Sequence, residues 1–374
     1  MANSALAGIR VLDVAGTVAT GYCGKLFADH GADVINLEPA AGFATRQLAP
    51  FLPGVAPPEN SALHAYLSTN KRSVVQTQAL LEKLLATADV LLTSEDEPAC
   101  QGYERSFPQL VVSSITWFGQ TGPYADFRGS DAICQSLAGL VKGLGKPDSA
   151  PLLPSGYQAQ IVGGLTAFIA TMTQVLAREL GNRAAGTHVD TSILEANLCF
   201  TEVGVVANFR TGLRGARWGI NRFPPTYPLG IYPCLDGWLG VTALTPSQWL
   251  SFCKLIGLVE AGAEKRYLAV SERLADAELL DPQIAARLST MSARQLFEEG
   301  QAARVPLALV PTMAELFETD QYRERQAFRD MSLPGGKTLA APVAPFRLFR
   351  TPALADLPVS GLGADTSAVT GGLP

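Results

Sequence analysis

Residues 8–14 (GIRVLDV) space their apolar side chains as a β-strand does, and Gly16 and Gly21 then break the pattern. From 22 to 30 the apolar positions recur at helical spacing until Gly31 stops the run, and 32–38 (ADVINLE) form a second apolar strand ending in an acid. A strand, a helix and a second strand in so short a stretch demand a parallel pair joined by a right-handed crossover. Further strands are predicted at 88–92 (ADVLL) and 110–115 (LVVSSI), and a long apolar helix at 160–180, interrupted early by Gly163 and Gly164. The expected fold is therefore α/β, with a Rossmann-like large domain. Its first turn, 15–21 (AGTVATG), is not GxGxxG, so neither NAD nor FAD is expected, and Glu38 is expected to be a solvated strand end.

Around 205–235 the composition shifts to Arg, Gly and Pro, as in 211–220 (TGLRGARWGI) and 223–227 (FPPTY), which marks an exit from that domain. The expected organisation is a large domain over 1–204, a smaller α+β domain over 205–325, and a return to the large domain over 326–374. The return carries a turn at Gly335-Gly336-Lys337 and an extended stretch at 341–346.

Composition narrows the partners. With 374 residues, 47% hydrophobic and 17% charged, the chain has material for a large core, and a net charge of −5 offers no basic field for nucleic acid. The N-terminal stretch lacks a basic n-region, and no apolar run reaches the roughly 20 residues of a membrane helix, so a cytoplasmic protein without a membrane partner is expected. The six cysteines are scattered, with no CxxC and no nearby His, and are expected to be reduced, mostly buried thiols; no metal site is expected.

Longer segments carry a resemblance. Residues 6–14 (LAGIRVLDV), 28–39 (ADHGADVINLEP), 70–74 (NKRSV) and 118–131 (FGQTGPYADFRGSD), followed by 186–196 (GTHVDTSILEA), 226–241 (TYPLGIYPCLDGWLGV) and 305–320 (VPLALVPTMAELFETD), resemble the class III CoA-transferase family, CaiB/BaiF-like, in order and over nearly the whole chain. The resemblance implies coenzyme A or acyl-CoA as a substrate and an interlocked dimer in which each chain threads the other. Family members that transfer CoA carry a nucleophilic aspartate shortly before a glycine pair, and Gln160 stands there; no acid occurs between Pro151 and Arg178. An amide does not attack a thioester to form an anhydride. Racemase-like members carry a histidine where this chain has Ser130, which excludes that activity.

The resemblance places a backbone oxyanion donor and thioester contacts at Thr17, Val18 and Ala19, and leaves Lys71, Arg72 and Arg46 as candidate cations for CoA, each alone expected to be a solvated surface charge. Opposing them, Glu95, Asp96 and Glu97 follow the strand at 88–92 where phosphates would lie, and Pro39 replaces a basic residue. In the small domain, Tyr227 and Tyr232 are expected to be buried aromatics and Asp236-Gly237 a strand turn. The expected function is a non-catalytic subunit of a heteromeric CoA-transferase, paired with a homologous aspartate-bearing chain that moves CoA from an acyl-CoA such as succinyl-CoA to a small organic carboxylate. The alternatives are a homodimeric acyl-CoA enzyme with lyase or dehydratase chemistry, and a non-catalytic binding homologue.

Overall fold

The computed structural model describes residues 4–181, 186–201, 204–206 and 217–372. The chain divides into two compact units, one made of residues 1–141, 153–213 and 323–374 and the other of 142–152 and 214–322. Residues 211–216 of the Arg- and Gly-rich stretch lie outside the described residues.

The first unit is built on a six-stranded parallel sheet: β1 (Arg10–Asp13), β2 (Asp33–Glu38), β3 (Arg72–Val75), β4 (Val90–Thr93), β5 (Val111–Thr116) and β6 (His188–Ser192). Their spatial order is 3-2-1-4-5-6, the doubly wound order whose direction reverses between β1 and β4. Alternation along each strand explains both faces. Val11, Val34, Val90 and Val111 point to one side, where Phe27 of α1 (Val18–Asp29) and Ala167 and Val175 of α6 (Gln158–Glu179) cover them. Their neighbours Leu12, Ile35, Leu91 and Val112 point to the other side, onto leucines of α3 (Gln78–Leu85), Cys100 of α4 (Glu97–Ser106) and Val369. Two shorter helices complete the elements needed below, α2 (Ala62–Leu67) and α5 (Asp131–Leu137).

The expected interruption of the long helix does not occur: α6 runs unbroken through Gly163 and Gly164. The pair is there for close packing. A Cβ on Gly164 would lie 2.4 Å from the carbonyl oxygen of Ala19 in α1, and one on Gly163 would lie 2.7 Å from the Ile193 side chain. Contrary to expectation, α6 is by length and composition apolar enough to cross a membrane, because its threonines and Gln174 do not make it polar on average, and within this unit it lies on α1 and β5.

Glu38 corrects the expectation of a solvated strand end. It is fully buried, accepts from Arg46 through both carboxylate oxygens at 2.7 Å, and also accepts from Ser73 Oγ and the Phe43 N–H. The chain returns to this unit as a small sheet, β10 (Phe328–Ser332) between β11 (Thr338–Pro342) and β12 (Leu357–Pro358), with Gly335 and Gly336 in the turn. Its last segment then bonds to β3, where Ser73 N–H donates to Asp365 and Val75 N–H donates to Thr366.

The second unit packs helices against an antiparallel sheet of β7 (Leu229–Cys234), β8 (Gly237–Thr242) and β9 (Leu307–Leu309), with Asp236-Gly237 at the β7–β8 turn. Its core holds Trp249, Phe252, Leu280, Ile284, Leu288 and Leu296. Tyr227 and Tyr232 are buried, and both hydroxyls donate to Asp281 Oδ1 at 2.7 Å. Arg273 is fully buried and forms no ion pair among the described residues. Its guanidinium instead donates to the carbonyls of Tyr227, Tyr267, Ala243 and Leu244 and lies over Trp249. Burial lowers its pKa below the ordinary arginine value.

Removing that fork leaves several buried carbonyls without a donor, each a cost of about 1–3 kcal/mol. Arg273→Met is therefore expected to lower the unfolding free energy by about 3 kcal/mol or more. Arg273→Lys, with a point charge in place of a planar fork, is expected to fall between Met and wild type. Urea unfolding at constant m-value measures both, and an Arg273→Met midpoint equal to wild type refutes the assignment.

Candidate functional site

The switch point between β1 and β4 places the loop after β1 at the carboxyl edge of the sheet, where doubly wound folds bind ligands. Asp13, the last residue of β1, shapes that loop: its Oδ1 accepts from the Ala15 and Gly16 N–H groups at 3.1 Å each. Gly16 has φ +59°, and a Cβ there would lie 2.1 Å from the Phe43 ring, so no other residue fits. Thr17 then caps α1 reciprocally with Thr20: Thr20 N–H donates to Thr17 Oγ1 and Thr17 N–H donates to Thr20 Oγ1. That leaves the N–H groups of Val18 and Ala19, in the first turn, without an intrahelical acceptor.

Lys71 lies beneath this turn. It is buried, not surface-solvated as its sequence context implies, and donates through Nζ to the Gly21 carbonyl at 2.8 Å. Burial pushes its pKa down to about 8 against the opposing pull of Asp13, and burial likewise raises Asp13 against the pull of Lys71. Arg46 also departs from the surface expectation, being buried between Glu38 and Glu59. Burial pushes the Glu38 carboxyl up, but the Arg46 hydrogen bonds and charge, with Ser73 and the Phe43 N–H, together hold it below its ordinary value. Arg72 stands at the amino end of β3, the opposite edge of the sheet from Thr17, and pairs with Asp33 beside Arg10. The three cations therefore occupy separate places, each already engaged by a group of the protein.

At the far lip of the switch point, Asp96 caps α4 by accepting from the Ala99 N–H at 3.1 Å, and Glu97 lies in the first turn, where the helix dipole favours an acid. Glu95 and Asp96 there follow a strand end that offers no basic side chain to a phosphate.

Gln160 is the third residue of α6, one turn before Gly164, so the α1–α6 contact brings Gln160 and Thr17–Val18–Ala19 to one junction. It is almost fully buried and is held by Asp131: the Gln160 N–H donates to Asp131 Oδ1 at 3.1 Å and Nε2 donates to Oδ2 at 2.9 Å. Ser130, beside it, caps α5 by accepting from the Ile133 N–H at 3.3 Å. Sequence reasoning passed over Asp131 as part of a motif; its only signal was an acid following a capping serine. Asp13, Gln135 and Asn197 were also missed, being polar residues inside apolar runs.

A family model for CoA-transferase family III matches residues 6–366. The chain belongs to CoA-transferase family III. It is 28% identical to the succinate–glutarate CoA-transferase of Agrobacterium fabrum over 97% of this chain and 94% of that protein. It is 26% identical to the succinyl-CoA–L-malate CoA-transferase beta subunit of Chloroflexus aurantiacus, over 93% and 88%. A CaiB/BaiF family protein from Brucella suis superposes with a TM-score of 0.89 at 25% identity, covering all of both chains. In this family CoA thioesters are the substrates, and among the described residues no group of His, Cys, Asp and Glu could hold a metal. As a family III member, the chain keeps the frame and carries an amide–carboxylate clasp at the head of α6.

The buried support of the site titrates. His64 of α2 contacts Thr45 Oγ1 and Ser68 Oγ, and burial first, then the Arg46 charge, pushes its pKa down to about 3 from 6.5. Because the folded chain holds His64 neutral while the unfolded chain protonates it, this contribution to stability is complete above pH 6.5 and is lost as pH falls towards 3. Thermal midpoints of wild type are expected to fall between pH 6.5 and 4.5, above the ordinary range of Glu38, and His64→Gln to flatten that slope. Parallel slopes would show that another group titrates.

Proposed function

We propose that this family III chain is the non-catalytic half of a heteromeric CoA-transferase, paired with a homologous chain that carries the aspartate and moves CoA between a dicarboxylyl-CoA such as succinyl-CoA and an organic carboxylate. The observation that carries it is the clasp: where an attacking carboxylate is required, Gln160 is bound through backbone and side chain to Asp131. Anhydride formation needs a nucleophilic oxygen, and an amide supplies none. Losing a nucleophile costs about 4 kcal/mol for each thousandfold in rate; no acid lies between Pro151 and Arg178, and the carboxylate in contact, Asp131, is engaged by Gln160 through both oxygens.

The relatives support the reading. Several are named for succinyl-CoA, and one is named as a beta subunit. The outer side of α6 supports a chain partner, since Leu165, Ile169, Leu176 and Leu180 are exposed along it. In the interlocked arrangement the homologous chain covers that face. The Val18 and Ala19 N–H groups remain to receive a thioester oxygen, with Asp13 and Lys71 fixing their loop from beneath.

Co-expression with aspartate-bearing homologues from the same genome, followed by native mass spectrometry, is expected to give a stoichiometric heteromer with transferase activity and an inactive chain alone. A homodimer with full activity overturns the reading. In the isolated chain, Gln160→Asp is expected to give slow but measurable transfer. Because Asp131 sets a like charge against the new acid, one of the two carboxyls has a raised pKa, so activity should appear only towards higher pH. Adding Asp131→Asn should move that onset down by a unit or more, and an unmoved onset removes the coupling.

A further inference from the structure

The clasp fixes which end of the Gln160 amide faces the site. A carboxylate accepts and cannot donate, so the amide NH2 must point at Asp131 and Oε1 must point away. Oε1 accepts no hydrogen bond from a described residue, and it is not among the unpartnered polar atoms sealed from solvent. The group standing where a nucleophile would stand therefore presents an acceptor, with the free lone pairs of Asp131 beside it.

The same junction holds further unfilled hydrogen-bonding capacity. Gln135 lies one turn along α5 from Asp131, is 1% exposed, and has neither Nε2 nor Oε1 partnered. Asn197 is fully buried and donates through Nδ2 to the carbonyl of Ala159, the residue before Gln160, while its Oδ1 is unpartnered. Those atoms are sealed from solvent and meet no guest directly, whereas Gln160 Oε1 is not sealed in this way. An acceptor pair bearing a carboxylate repels a second carboxylate and receives an O–H.

We propose that Gln160 and Asp131 form a binding site for a hydroxyl group on the acyl chain of a CoA thioester. The proposal rests on the reading that the chain still takes acyl-CoA, and it converts the lost nucleophile into a determinant of specificity. A hydroxyl donates to Gln160 Oε1 or to Asp131; an acyl chain without one leaves the acceptors to water.

The test is calorimetric titration of the whole purified chain with butyryl-CoA and with its 2-hydroxy and 3-hydroxy forms. At least one hydroxylated thioester is expected to bind roughly tenfold more tightly than butyryl-CoA, and the gain should vanish in Gln160→Met, whose side chain has similar length and neither amide end. Thermal melting checks that Gln160→Met is folded; where it is not, Asp131→Asn, which replaces one acceptor oxygen with a donor, serves as the second variant and should also lose the preference. Equal affinities for all three thioesters, a preference that survives the substitution, or no binding at all overturns the proposal. Equal affinities leave the heteromer reading intact, and an active homodimer overturns that reading while a measured hydroxyl preference still stands.

Discussion

The contact between Gly164 and the Ala19 carbonyl is the constraint on which the site depends. Any side chain at 164 would push α6 away from α1, because a Cβ there meets backbone and not a movable side chain. With that contact made, the third residue of α6 and the first turn of α1 are fixed relative to one another whatever side chains they bear. The frame can then be kept whatever side chain position 160 bears, and in this chain it holds an intact doubly wound sheet, a capped α1, a tightened β1 loop and an amide at 160.

Strands β1, β2, β4 and β5 and helices α1 and α6 were legible because their signal is local, while β3 and helices α3 to α5 were not among the expected elements. Alternation at Val11-Leu12, Val90-Leu91 and Val111-Val112 marks strands buried on both faces, and Gly31 ends α1 within two residues of its expected stop. The glycine pair of α6 was misread for the opposite reason. In sequence, two glycines weaken a helix, and only the tertiary contact shows that they serve packing. Glu38 and Arg46 belong to the same class of error. Each is charged and surface-like by type, but Arg46 sits eight residues from Glu38 and thirteen from Glu59, and only the turn through Phe43 closes them into one buried cluster.

Gln160 was found by comparison with a pattern; what it does was not, because its partner lies 29 residues away on another helix. The missing acid is a statement about sequence, while the clasp is a statement about geometry, and only the second says which amide end faces outward.

The clasp also bears on why an amide at this position is stable over time. With an acid at 160, the side chain would face Asp131 as a like charge in a partly buried place, held there by the Gln160 backbone N–H that binds the same carboxylate. Replacing the acid by glutamine turns that repulsion into a hydrogen bond to a charged acceptor, a class of bond worth about 1.5–3 kcal/mol. On the proposed reading, the substitution that removes the acid also adds stability, and reversion costs that stability before any activity returns. On that reading energetics hold the site in its altered state, and the acceptor it turns outward is a direct consequence of the bond that holds it.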